Sequence, residues 1–367
     1  MVGEGLSLLW AAPFAGLLLS LAILPVVASR FWHRFDGYIA AAWCAAIAVP
    51  MAVAFGPGLV ANVAWHVALE EYLPFIALLL ALYTTAGGVL VTGRLVGTPA
   101  VNTAILAVGT LAASVMGTTG ASMVLLRPLI RANAFRRKTT HSFVFFIFLV
   151  SNIGGALTPL GDPPLYLGFL QGVSFFWTTQ HLAAEMAFCA VVLLFIYWLL
   201  DRRAWAAERP VAPEHTGSAR LGIQGWANVG LLGLILLTVL AQGVWRPGSV
   251  DLFGVEVGVE RLAAMAVFLG ITILSAWITP RALHDENGFD WGAMKEVAVL
   301  FAAIFLTMAP VLAILRAGSA GAAAGLVALT SDAAGQPLPC RARCPPSSTM
   351  RRPTCCSSTS PAATRRR

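Results

Sequence analysis

The sequence predicts an all-α polytopic membrane protein of inverted repeats, with a re-entrant hairpin, a discontinuous helix and a truncated second repeat. Three observations carry this expectation. The 367 residues are 58% hydrophobic and only 11% charged, with a mean hydropathy of +0.78; soluble domains run near ~45–50% apolar and ~25% charged. Apolar runs recur at the length needed to cross a bilayer. Two longer apolar regions are broken by glycine, proline and threonine clusters that an uninterrupted helix does not hold.

The simple spans lie near 6–28, 38–56, 72–92, 182–200, 228–245, 261–279 and 294–315. The first lacks a basic leader and is long enough to span, so it is not read as a cleaved signal. Region 100–131 is interrupted at Gly117-Thr118-Thr119-Gly120, and region 142–175 at residues 152–164.

Loop charge sets the orientation. Arg30, Arg34, Arg94, Arg131, Arg136, Arg137, Lys138, Arg202, Arg203, Arg209, Arg220, Arg281 and Lys295 share one side if the N-terminus is outside and 100–131 re-enters as a hairpin. Arg246, Arg261 and Arg316 are then on the other side. The expected location is a cell (inner) membrane, with several passes.

The domain reading follows. Residues 1–180 form a first repeat of three spans, a re-entrant hairpin (about 100–131) and a broken helix (about 142–175). Residues 181–225 are a linking span and cytoplasmic loop, and 226–339 a partial second repeat of opposite orientation. Inverted repeats with discontinuous helices are a secondary-transporter design. Glu71 opens the third span of one repeat and Glu296 that of the other.

Residues 340–367 read as a frameshifted tail. They hold seven of the 24 basic residues, four of the six cysteines and no acid. The remaining basic residues balance the 17 acids, so the net charge of +7 belongs to the tail and does not point to nucleic acid. Cysteine codons, and most serine codons, begin with T; moved to the middle position, that base encodes hydrophobic residues. One permitted translation of 347–364 is FLDNAPTYLLFFNIAGGD, an apolar segment with a polar tip.

Two clusters can carry chemistry. In Ser151-Asn152-Ile153-Gly154-Gly155-Ala156-Leu157-Thr158-Pro159-Leu160-Gly161-Asp162-Pro163-Pro164, unwound carbonyls can coordinate a cation, and an intramembrane acid such as Asp162 is functional by default. The plainer alternative is a proline kink with Asp162 capping the next half-helix and Pro163 in its first position. In Gly117-Thr118-Thr119-Gly120-Ala121-Ser122, small hydroxyl residues supply ligands without bulk, or simply allow close helix packing. Thr84-Thr85-Ala86-Gly87-Gly88 reads as packing. Glu185 is a proton-relay candidate or an interfacial residue, and Glu70 and Glu71 are expected in solvent at the outer interface. Arg127 is expected to snorkel.

The six histidines fall in loops or at span ends, which disfavours a haem protein. No zinc spacing, nucleotide loop or hydrolase motif occurs. No catalytic residue, resident metal or cofactor is expected.

The stretch Asn-Ile-Gly-Gly-x-x-Thr-Pro-x-Gly-Asp-Pro-Pro resembles the signature of the ion transporter superfamily, over about residues 1–339. That resemblance implies two inverted repeats with substrate between them, and a homodimer is usual there. It places the first hairpin tip on residues 117–122 and the broken helix on 152–164. Arsenite carriers have Asp-Asn at the tip where this chain has Thr118-Thr119. The nearest likeness is to the citrate-transport (CitMHS-like) branch, commonly described as sodium:proton antiporters, with Asp-Asn-Ala-Pro-Thr at the second hairpin. This chain lacks that half-site.

The resemblance implies a site of Asp162, Asn152, Gly154, Gly155, Thr158, Gly161, Thr118, Thr119 and Ser122. The leading expectation is a secondary transporter exchanging Na+ for H+ at Asp162. The alternative is a sodium- or proton-coupled citrate or carboxylate carrier of the same fold, with no mid-membrane Arg or Lys to balance a trianion. A third reading is an inactive, truncated membrane protein.

Overall fold

The computed structural model describes residues 6–93, 95–208, 222–252, 254–318 and 321–325. The expected frameshifted tail, Arg94, Arg209, Arg220 and His215 lie outside the described residues. Among those described, nine helices are long and apolar enough to cross a membrane. The chain is a multi-pass α-helical membrane protein, and several of its helices are discontinuous.

A short 3-10 turn (Leu8–Ala11) leads into α1 (Ala12–Val27), followed by α2 (Ser29–Phe55). The third span is longer than its apolar run suggests. It runs as α3 (Pro57–Val67), a π turn (Ala68–Tyr72) and α4 (Leu73–Gly87) without a break. Gly56, at φ 88°, turns the chain and Pro57 takes the first helical position. Residues 57–71 contain His66, Glu70 and Glu71, which signal a loop in sequence. The helix holds them by pairing: Arg261 reaches the Glu70 carboxylate, and Gln171 Nε2 donates to Glu71 at 3.0 Å. The expectation of two solvated glutamates is therefore wrong for Glu71, which is buried. It also lies mid-helix rather than opening a span, so the Glu71/Glu296 correspondence fails: Glu296 sits near the start of its helix.

After a short strand β1 (Leu90–Thr92), α5 (Pro99–Ala132) turns back on itself at Gly117. A straight helix of 34 residues would be about 50 Å long. Here the two ends meet instead. Gly97 N–H donates to the Ala132 carbonyl at 2.8 Å, and the amides of Asn102 and Asn133 exchange two hydrogen bonds of 2.9 Å. Gly117 has φ 78° and ψ 156°, a conformation that only glycine adopts readily.

Next come α6 (Thr140–Leu149), a 3-10 turn (Ile153–Leu157) and the eight-residue α7 (Pro163–Leu170). Between turn and α7 the backbone is extended at Thr158 and Asp162. The long α8 (Trp177–Glu208) leads towards β2 (Gly222–Gln224), which pairs antiparallel with β1. The second half contains α9 (Trp226–Val244), a hairpin of β3 (Ser249–Leu252) and β4 (Val255–Gly258), α10 (Val259–Ile278), α11 (Arg281–Asn287) and α12 (Trp291–Arg316).

Packing between the halves is reciprocal. α4 lies on α10, and α2 on α12; α4 touches α9, and α1 touches α12; α1 packs on α2, and α9 on α10. The main core runs from Phe75, Leu78 and Leu82 of α4 through Leu106, Ala113 and Leu129 of α5 to Ile235 and Phe268.

An ion pair ties the base of α5 to α8. Arg136 and Asp201 side chains are both fully buried and 2.5 Å apart. Asp201 also accepts from Asn102 at 3.2 Å and lies 2.7 Å from His141 Nε2. Arg136 donates further to the Gly97 carbonyl and lies over the Trp205 ring.

Candidate functional site

The bend of α5 and the break after α6 meet. Thr118 N–H donates to the Gly161 carbonyl at 3.2 Å. Ser114 Oγ donates to the Gly154 carbonyl at 2.6 Å, and the Thr158 hydroxyl donates back to the Ser114 carbonyl. Ser122 and Ser151 hydroxyls are 2.9 Å apart. The glycines of the break explain the fit. A Cβ on Gly154 would sit 2.6 Å from the Thr110 carbonyl, and one on Gly155 would sit 2.8 Å from the Thr118 methyl.

A cavity of about 160 Å³ opens at this junction. The α5 bend contributes Met116 to Gly120, the break contributes Pro159 to Pro163, and α4 and α12 supply an apolar wall including Leu82, Tyr83, Met294 and Phe301. The polar groups are concentrated on Thr118, Thr119 and Asp162, and among the described residues no Lys, Arg or His lines it.

Asp162 occupies the N-cap position of α7 but makes no capping bond. The reason is local. Pro163 and Pro164 have no N–H, and the next two amides, of Leu165 and Tyr166, donate to the Asp162 carbonyl. Among the described residues the carboxylate has no hydrogen-bond partner, so the capping alternative fails while Pro163 takes the expected first position.

The other sequence-expected site residues divide. Gly161, Thr118, Thr119 and Asp162 share the cavity. Gly154, Gly155 and Thr158 hold the break against α5 and do not line it; the hydroxyl of Thr158 and several unwound carbonyls are already bonded. Leu157, for example, accepts from Thr178 and Thr179 at 2.8 and 2.6 Å. Ser122 and Ser151 bridge the two elements below the bend. Asn152 is exposed, and Glu185 is exposed on α8 outside the cavity.

Thr84 and Thr85 are fully buried and bond their own helix carbonyls, as packing residues do. Arg127 donates to the Asp285 and Glu286 carbonyls rather than merely reaching for water. Tyr83, which lines the cavity and donates to the Asp290 carbonyl at 2.8 Å, was not singled out by any sequence motif.

The family described as "Putative citrate transport" matches residues 3–342. The chain belongs to that family. A family member of this kind is a secondary-active transporter embedded in the membrane, and its role is transport rather than catalysis. No curated protein and no solved structure matches the chain.

Proposed function

We propose that the protein carries a citrate-class carboxylate across the membrane together with a cation. The supporting observation is the junction itself: a helix start bearing two threonines faces a free carboxylate across one cavity. The first amides of the α5 arm that begins at Thr118 lack helical partners, and such a start favours an anion. Thr118 and Thr119 add hydroxyl donors.

Asp162 would repel that anion. A proton or Na+ on Asp162 removes the repulsion, and oxygen ligands suit a hard cation. The anion then enters favourably only with the cation in place, which is the physical basis of coupling. Re-entry of α5 from one face, and inversion of the two halves, fit the reciprocal packing of α1, α2 and α4 with α9, α10 and α12.

Charge supports an inner-membrane orientation with the N-terminus outside. Arg131 and Arg136 gather at the end where β1 pairs β2, while Arg261 and Arg316 gather at Glu70 and Gln171.

The test is citrate uptake into vesicles holding the reconstituted protein. Uptake driven by an inward Na+ or proton gradient, and lost in Asp162→Asn, is expected. A second reading, Na+/H+ exchange, is favoured by one observation: among the described residues no cationic side chain lines the cavity to balance a multiply charged anion. Sodium-driven proton movement without any carboxylate would replace the first reading by the second.

A further inference from the structure

Glu71 is the buried acid that the cavity at Asp162 leaves unexplained. It lies in the π turn Ala68–Tyr72, and such turns inside helices are frequent at functional sites. It is only 5% exposed. Oε1 accepts from Gln171 Nε2 at 3.0 Å, while Oε2 is enclosed with no hydrogen-bond partner among the described residues.

The cations around it, Arg316, His66 and Arg261, attract its charge from a distance, but none hydrogen-bonds it. Arg261 on α10 serves the Glu70 carboxylate and the Leu170 carbonyl. Arg316 on α12 donates to Gln171 Oε1 at 2.7 Å. His66 and Glu70 are the other charged or titratable neighbours, both on its own helix. On β4, Val255 and Val257 pack on Leu69 and the intervening Glu256 is exposed. An ionised carboxylate with one bare oxygen in a closed place is costly; a proton on that oxygen removes the charge and leaves the bond from Gln171 intact.

We infer that Glu71 is a proton-binding residue, placed at the opposite end of α7 from Asp162. Asp162 precedes α7 and Gln171 follows it, so one eight-residue helix joins the two acids. Gln171 also lines an open cavity of about 600 Å³ with Arg246 and Glu260, so the side chain bonded to Glu71 is the one that stands between the carboxylate and that cavity. Loss of the proton leaves a charge whose desolvation outweighs the pull of Arg316, His66 and Arg261, and admitting water or parting α7 from the π turn would relieve it. The further step, that this proton drives carboxylate movement, rests on the proposed transport reading; proton binding itself does not.

Two measurements test the inference. Infrared titration of the full chain in lipid should show a protonated-carboxyl band that is absent in Glu71→Gln, a variant able to keep the bond from Gln171. Superimposable spectra of the two proteins would overturn it. Should Glu71→Gln fail to fold, Glu71→Asp should move the band and its midpoint, and an unmoved band would be equally fatal.

In vesicles, Glu71→Gln should keep citrate counterflow while losing proton-driven accumulation at least tenfold. No citrate movement by the unaltered protein would sink the transport reading and leave the infrared result standing. Equal accumulation by both proteins would sink Glu71 as the driving site.

Discussion

Thr118 and Gly161 are bonded through their backbones, N–H to carbonyl, at 3.2 Å. This bond seats the tip of the α5 bend on the break that precedes α7, beside those of Ser114, Thr158 and Ser122, and the carboxylate of Asp162 belongs to the next residue along the chain. A Cβ at Gly161 would overlap the Gly155 carbonyl, which is backbone and cannot rotate away. Gly161→Ala should therefore cost about 1–3 kcal/mol, the usual range for overpacking. Gly270→Ala on α10, where nothing lies within 4 Å, should be close to neutral. Thermal unfolding of the two variants in the same detergent checks the contrast.

The Arg136–Asp201 pair gives a second expectation. Asp201→Asn leaves the buried guanidinium with only the more distant Glu208 carboxylate, at 3.9 Å, and should lower stability by about 3–5 kcal/mol. Replacing both, as Arg136→Met with Asp201→Leu, should cost less than either single change, because neither member of the pair is then left as a lone buried charge, and Glu208, 3.9 Å from Arg136, is the carboxylate that remains. A double-mutant cycle by thermal unfolding measures the difference.

The seating of the bend on the break can be captured covalently. Ser122 and Ser151 place their hydroxyls 2.9 Å apart, and a disulfide needs sulfurs about 2.05 Å apart. In a background without other cysteines, S122C/S151C should cross-link under mild oxidant, seen as one linked peptide by mass spectrometry. Persistent free thiols would mean that the two elements do not meet.

His284 predicts a pH dependence. It sits on α11, outside the spanning helices, against Phe289, and burial lowers its pKa below the ordinary 6.5. Between the lowered folded value and 6.5 the unfolded chain binds more protons than the folded one. Stability should thus fall as pH drops below about 6.5 and level off once the folded form also titrates. His284→Phe should flatten that part of the unfolding profile.

The chemistry of the break was legible because it is local. Three prolines and several glycines within fourteen residues forbid a straight helix wherever they occur, and Gly117 marks its own bend. What these residues do in detail was less legible. Whether the Gly154 carbonyl or the Thr158 hydroxyl is free depends on Ser114, forty residues away in sequence. Glu71 and Asp201 each look like ordinary loop charges until Gln171 and Arg136 are brought beside them. Pairing over such separations leaves no periodic trace, and for that reason the apolar run alone starts the third span too late and gives no sign of its π turn.

The length of that span has a consequence for the lipid. Its 31 residues reach about 46 Å, against a hydrocarbon thickness of about 30 Å. Were Gly87 set at one boundary, the π turn would lie about 24 Å away along the axis, near the other boundary, and Trp65 and His66 would fall at headgroup depth. A thinner or thicker bilayer must tilt this helix or shift its glutamates across the boundary. Acyl-chain length is therefore a control variable for this transporter, acting at the end where Glu70 and Glu71 are held.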